Sequence, residues 1–345
     1  MSGEPISHRI FIERLVIALI VVGIALLLWN LRDLFLLVFG SVLVSVILGL
    51  VAQPIRDRLG VPRWIALLAA VLIVIGVIGT SFWLFGAEVN RQAQSLRDMI
   101  PVAWQALQAR FDAWGIGGDF REWTAGLGAE ARMVANIGSL AVTVGSGVAD
   151  TFLVIVGGIY LAAQPDLYWV GMIKLVPERG RALAAQALEA SARALRLWLL
   201  GRLVSMAAVG FMTWLGLSVI GVPSALTLGL LAALLEFVPF IGPIVAAVPA
   251  ILLAFAENPD MALWTLLLFV IVQQIEGNLL EPMVQQRAVD LPPVLLLFAL
   301  VAGGLIFGTV GIILAAPLTV VIYVMVKRLY VQEALHTSTP LPGEK

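Results

Sequence analysis

Apolar residues gather along this chain in long, almost uninterrupted stretches, at about 15–31, 34–51, 64–87, 136–163, 203–221 and 261–279. An α-helix rises about 1.5 Å per residue and the hydrocarbon core of a bilayer is about 30 Å thick, so runs of roughly 17 to 25 residues can cross it. The pattern therefore predicts six full membrane spans. Two further stretches, 224–255 and 291–326, are too long for a single crossing. As straight rods they would reach roughly 48 and 54 Å, so each must tilt strongly, break or fold back.

Local chemistry says where breaks would fall. The first long stretch contains Pro239-Phe-Ile-Gly242-Pro243, and the second contains Gly303-Gly304 and Phe307-Gly308-Thr-Val-Gly311. Proline removes a backbone donor and glycine weakens a helix, so such clusters punctuate helices. The two breaks also resemble each other, Gly242-Pro-Ile-Val-Ala-Ala-Val-Pro249 against Gly311-Ile-Ile-Leu-Ala-Ala-Pro317, a weak repeat that points to two related hairpins. Two topologies compete past residue 203: eight crossings with both stretches as tilted spans, or two re-entrant hairpins, the first entering from outside and the second from the cytoplasm. The hairpin version alone puts Glu257 and Asp260 outside and Arg287 inside.

Between these stretches, apolar residues at Val89, Ala93, Leu96, Ile100, Trp104, Leu107, Phe111 and Trp114 follow one helical face. The segment 178–200 has the composition of an Ala-rich cytoplasmic helix with a basic face. The expected organisation is 1–87, N-terminal transmembrane segments; 88–135, an external amphipathic helical region; 136–202, a span and the cytoplasmic helix; 203–330, a C-terminal transmembrane transport region with broken helices; and 331–345, a disordered tail. The fold class is all-α and polytopic, with six full spans plus two broken or re-entrant segments.

Charge orients the chain. Arg9 and Arg14 precede the first span, Arg56, Arg58 and Arg63 lie between the second and third, and Lys174, Arg179, Arg181, Arg193, Arg196 and Arg202 follow the fourth. Basic residues in short loops mark the cytoplasmic side, so both termini are expected there. Trp29, Trp64, Trp83, Trp169 and Trp264 stand near span ends as interfacial anchors, with no binding role.

Composition narrows the function. Of 345 residues 61% are hydrophobic and only 12% charged, against about a quarter charged in soluble domains. The net charge of −1 is spread along the chain, which leaves no footprint for nucleic acid. There is no cysteine, and the only histidines, His8 and His336, are terminal, so no metal centre, cofactor or Ser/His/Asp catalytic site is expected. The chain is read as a non-enzyme whose partners are membrane lipid and a small polar solute or an ion such as sodium or the proton.

Ionisable groups inside a bilayer are expensive and usually functional. Glu236 interrupts an apolar run immediately before the first break, and Glu276 lies in Gln273-Gln-Ile-Glu276-Gly-Asn278, where an apolar helix turns polar. Gln273 and Glu276 share a helical face, so their oxygens can serve a cation or a hydroxylated solute. Helix ends freed by Pro239, Gly242, Pro243, Gly308 and Gly311 offer backbone groups to the same end. In this reading Gln273, Glu276 and Asn278 line the path, and Glu236 is a second ligand or a proton site.

Three segments in order, Gly229-Leu-Leu-Ala-Ala-Leu-Leu-Glu236-Phe-Val-Pro239-Phe-Ile-Gly242-Pro243, Glu276-Gly-Asn278-Leu-Leu-Glu-Pro282 and Phe307-Gly308-Thr-Val-Gly311-Ile-Ile-Leu-Ala-Ala-Pro317, resemble the autoinducer-2 exporter (AI-2E) family of bacterial permeases. The resemblance extends over about residues 10–330. It implies a multi-pass, homo-oligomeric inner-membrane transporter. Members are linked to export of a signalling molecule and, in a separate branch, to sodium/proton antiport. Its motif positions carry over to Glu236, Pro239, Gly242, Pro243, Glu276, Asn278, Pro282, Gly308, Gly311 and Pro317.

A membrane scaffold that docks partners through 88–135 is the alternative from another class. Deleting 92–130 while leaving the spans intact separates the two. A scaffold loses its function on that deletion and tolerates Glu276→Gln, whereas a transporter is impaired by Glu276→Gln in a liposome uptake assay.

Overall fold

The computed structural model describes residues 30–77, 148–280 and 291–337, with single positions elsewhere (15, 16, 19, 23, 26, 79, 80, 83, 112, 118, 282 and 339). The amphipathic segment 89–114, the rest of the external region 88–135, most of the first span, and Glu281 and Arg287 lie outside the described residues.

All regular elements among the described residues are helices. In chain order they are α1 (Arg32–Leu59), α2 (Arg63–Val77), α3 (Val148–Ala163), α4 (Pro165–Lys174), α5 (Arg181–Ile220), α6 (Ala225–Leu235), α7 (Ile241–Glu257), α8 (Pro259–Ile275) and α9 (Pro293–Val326). Wide helical turns follow α8 over Glu276–Leu280 and α9 over Lys327–Ala334. The second of these carries helix four residues into the stretch 331–345, expected from sequence to be a disordered tail. Arg328 there donates to Gln186 and to Gln332, which anchors the turn to α5.

Among the described residues four helical stretches are long and apolar enough to cross a membrane, or five if α3 and α4, bent by 91° at Gln164, count as one span. Across residue 202 a single helix, α5, runs unbroken for 40 residues. No glycine–proline cluster interrupts 181–220, and basic side chains do not break a helix, so the solvated Ala-rich part and the apolar part form one rod of about 60 Å.

Both overlong stretches fold back. In the first, α6 ends at Leu235 and α7 begins at Ile241, joined by Glu236–Phe240. A Cβ placed on Gly242 would lie 1.9 Å from the Leu235 carbonyl oxygen seven residues earlier, a separation only a reversal produces. Phe240 sits in this turn at φ 64, ψ −46, a region that side chains avoid. Taken as one rod, α9 would reach about 51 Å, but it reverses at Gly308, whose φ 65, ψ −148 is accessible essentially to glycine alone. Past that turn Gly311 presses on the Gly303 carbonyl, where an added Cβ would come within 2.1 Å. Gly242 and Gly311, matched in the weak repeat, thus occupy equivalent places, each at the start of a returning arm.

The arms pack in a consistent sense. Gly210 of α5 lies against Gly229 and Ala233 of α6, while Trp214 covers Gly229, so α5 and α6 are antiparallel. Gly216 of α5 meets Leu268 of α8, again antiparallel. Leu217, Leu228, Ala232, Ala246, Ala250, Leu253, Ala262 and Phe269 close the core between α5 and α8. The second hairpin packs on the other end of α5, with Val320 and Val324 against Ala194. Phe237 from the tip of the first hairpin and Phe307 from the tip of the second join one cluster with Leu199, Leu314 and Leu36. Two hairpins running in from opposite ends of the bundle therefore meet tip to tip.

Gly308→Ala is expected to destabilise the second hairpin by about 1–3 kcal/mol through backbone strain alone, since open space surrounds that Cβ. Gly277→Ala, where nothing lies within 4 Å either and the backbone is not at positive φ, is the control. Thermal unfolding in detergent should show a lowered midpoint for Gly308→Ala only.

Candidate functional site

Arg202, Glu236 and Glu276 come from three separate elements and converge on one point. Arg202 stands in the apolar middle of α5, within Leu-Trp-Leu-Leu-Gly-Arg202-Leu-Val-Ser. Glu236 is the first residue past α6, and Glu276 opens the wide turn that ends α8. One guanidinium nitrogen of Arg202 donates to Glu236 Oε1 at 2.9 Å and another to Glu276 Oε1 at 3.3 Å. Nε points to the Phe237 carbonyl at 3.4 Å. The side chains of Arg202, Glu236 and Glu276 are 11, 1 and 13% exposed, so the cluster is nearly dry.

Each bond has a structural reason. The chain reverses after Leu235, so carbonyls at the hairpin tip lose helical partners, and Arg202 satisfies one of them. Burial of a carboxylate costs several kcal/mol unless it is paired, and the guanidinium fork supplies donors in two directions at once. Trp198, one turn before Arg202, packs edge-on against Phe237 at 6.0 Å between centroids and seals that side. Gln273 also interacts with the Glu236 carboxylate. Even so, Glu236 Oε2 is buried with no hydrogen-bond partner among the described residues. Two carboxylates face one cation, and one oxygen is left over.

The expected site residues divide. Glu236, Gln273 and Glu276 do come together. Asn278 does not join them: it is exposed and donates to the Gln274 carbonyl and side chain, closing its own helix end. Pro239, Gly242 and Pro243 shape the first tip, and Gly308 and Gly311 shape the second, so their part is in the backbone path. The oxygens of Glu236 and Glu276, expected to serve a cation or a hydroxylated solute, are met in this structure by the guanidinium of Arg202. Arg202, expected among the cytoplasmic basic residues, is instead buried among helices. A signal was present: Arg202 interrupts an apolar run as abruptly as Glu236 does.

Against known proteins, a family model described as AI-2E family transporter matches residues 15–330. The chain belongs to the AI-2E transporter family. Three relatives agree with it over most of their length. The chain is 26% identical to YrrI of Bacillus subtilis (strain 168), covering 94% of this chain and 97% of that one. It is 24% identical to the AI-2 transport protein TqsA of Escherichia coli (strain K12), covering 84% of each. YueF of Bacillus subtilis (strain 168) is 25% identical over 85% of this chain and 83% of its own. As an AI-2E family member the protein is a multi-pass membrane transporter, and the resemblance drawn from its Glu236, Glu276 and Gly308 segments holds over nearly the whole chain.

Arg202→Ala leaves two buried carboxylates unpaired and should cost about 3–5 kcal/mol. The triple change Arg202→Met, Glu236→Gln and Glu276→Gln removes the charges together and should restore most of the loss. Detergent melting of the two variants beside the parent checks this, and a triple variant no more stable than Arg202→Ala contradicts it.

Proposed function

We propose that this AI-2E family member is an inner-membrane secondary transporter exporting a small polar solute of the signalling-molecule class, with Arg202, Glu236 and Glu276 at the closed point of its path. The observation that carries the reading is the ion cluster where the tip of the first hairpin meets α8, deep among apolar helices. A bilayer protein gains no stability from such a group that well-packed apolar side chains would not give. Intramembrane ionisable residues of this kind mark solute or ion pathways.

The arrangement suits a polar solute. Arg202 presents donors, while Glu236 and Glu276 present acceptors. A solute with hydroxyl and carbonyl groups can replace the internal bonds one for one as the hairpin tip withdraws from α8. Phe237, Phe307 and Trp198 close the path on the other side, so polar contact is made only when the tips part. A bare monovalent cation would have to displace the guanidinium, which makes ion exchange the weaker fit.

This reading keeps six spans and two re-entrant hairpins; the described parts of the spans are 32–59, 63–77, 148–163, 203–220 and 259–280, and the hairpins are 225–257 and 293–326. The parallel packing of α1 and α3 supports it, because Gly40 meets Val154, Ser41 meets Gly157 and Val44 meets Gly158 in the same direction. So does the end where α1 and α3 finish, which carries Arg56 and Arg58 in the last turn of α1 and Arg63 donating to the Ala162 carbonyl. By the distribution of Lys and Arg the basic end is cytoplasmic and carries both termini. TqsA supplies the first solute to try, autoinducer-2.

Autoinducer-2 and related small polyols are to be measured inside cells and in the medium, with and without the gene. Deletion should raise the internal level of the exported solute. Arg202→Lys, which keeps charge but loses the fork, should reduce export roughly tenfold or more. Glu276→Gln should do likewise. Unaltered export of every solute by Glu276→Gln would remove the cluster from the mechanism.

A further inference from the structure

Besides Glu236 Oε2, three helix hydroxyls among the described residues are buried and unpartnered, Ser191 and Thr213 of α5 and Thr265 of α8, and of these Thr213 and Thr265 lie in the apolar parts of their helices beyond the ion cluster. Thr213 is 1% exposed and Thr265 0% exposed. Hydroxyls on a helix ordinarily turn back to the carbonyl four residues earlier. Ser41, Ser218 and Thr319 do so here, at 2.9, 2.8 and 2.7 Å. Neither Thr213 nor Thr265 does. A buried hydroxyl with no bond costs about 1–3 kcal/mol, and the usual occupant of such a place is an ordered water with several polar partners.

Position makes the two threonines a pair. Thr213 lies eleven residues beyond Arg202 along α5, and Thr265 lies eleven residues before Glu276 along α8. Eleven residues are close to three full turns, about 16 Å, and return a side chain to within roughly 20° of its starting direction. Arg202 and Glu276 face each other across antiparallel α5 and α8. Counted along the antiparallel helices from the Arg202–Glu276 pair, Thr213 and Thr265 fall at the same level, and Leu217 and Phe269, one turn from each, belong to one core cluster. That displacement runs from the cluster toward the end of the bundle that carries residues 221–224 and 257–260. Val209 and Leu217 flank Thr213 on α5, and Phe269 lies between Thr265 and Glu276 on α8, so the pair is a polar island between apolar rungs.

We infer that Thr213 and Thr265 form a hydration site between α5 and α8, a polar station on the way from the 221–224 end of the bundle to Glu236. Its ligand is water, held by two hydroxyls that each donate and accept. Glu236 Oε2 is the next unpartnered oxygen beyond it. The inference rests on the transport reading only for its purpose. It assigns the triad a side of approach, the acidic end of the bundle.

The chain has no cysteine of its own, so single thiols can be placed in an otherwise blank background. Thr213→Cys and Thr265→Cys are to be exposed, in right-side-out and inverted membrane vesicles, to a small charged methanethiosulfonate, which reacts only with a thiolate and hence only where water reaches. Leu199→Cys and Val320→Cys, both at 0% exposed positions in the core beyond the Arg202 cluster, serve as controls. The hydration site requires both threonine-site thiols to react roughly tenfold or more faster than the controls, and faster from the face bearing 221–224. Equal inertness of all four thiols in folded, monodisperse protein overturns it. Melting of Thr213→Val and Thr265→Val supplies an arm independent of the thiols. Loss of a hydrated hydroxyl lowers the midpoint, whereas loss of one in a dry core raises it, and a rise in both variants also overturns the proposal. Neither measurement reads transport, so their failure leaves the exporter reading standing, and a failed export assay leaves the hydration site standing.

Discussion

A guanidinium shared by two carboxylates inside an apolar helix bundle constrains everything around it. Arg202 cannot leave without exposing Glu236 and Glu276 to a medium of low dielectric, and neither acid can leave without unbalancing the other two. The cluster also answers a backbone problem, since the reversal after Leu235 frees carbonyls that only a nearby donor can satisfy. Hairpin, rod and terminal turn are consequently held at one point by charge rather than by shape.

The second hairpin has no charge of its own and is held differently. Its turn depends on the backbone freedom of Gly308, and its arms close on each other because Gly303 and Gly311 carry no side chain. Its tip contributes Phe307 to the cluster that also holds Phe237. One hairpin is thus pinned by an ion pair and the other by close backbone contact, and they meet through aromatic rings. Apolar contact is non-directional and tolerates sliding better than the fork of Arg202 does.

Much of this was legible in the residues. Excess length over a bilayer, together with Pro239, Gly242, Gly308 and Gly311, located both reversals, because the length limit and the breakers act on the same stretch. Glu236, Gln273 and Glu276 stood out as polar residues in apolar context and do converge. Arg202 was lost because it was counted with a basic segment, although its immediate neighbours are apolar. Partnership between residues 34 and 74 positions apart is a tertiary fact that no local pattern encodes. Asn278 misled for the converse reason: it lies near Glu276 in sequence, but a helix turn aims it at Gln274. The join at residue 202 was drawn where composition changes, whereas a helix ends only where its backbone bonding is interrupted.

The unbroken length of α5 has a mechanical consequence. The same rod grips the first hairpin through Arg202 and, nearer its start, the root of the second through Ala194 against Val320 and Val324 and through Gln186 to Arg328. A helix without a joint transmits tilt along its whole extent, so the two hairpins share a single axle.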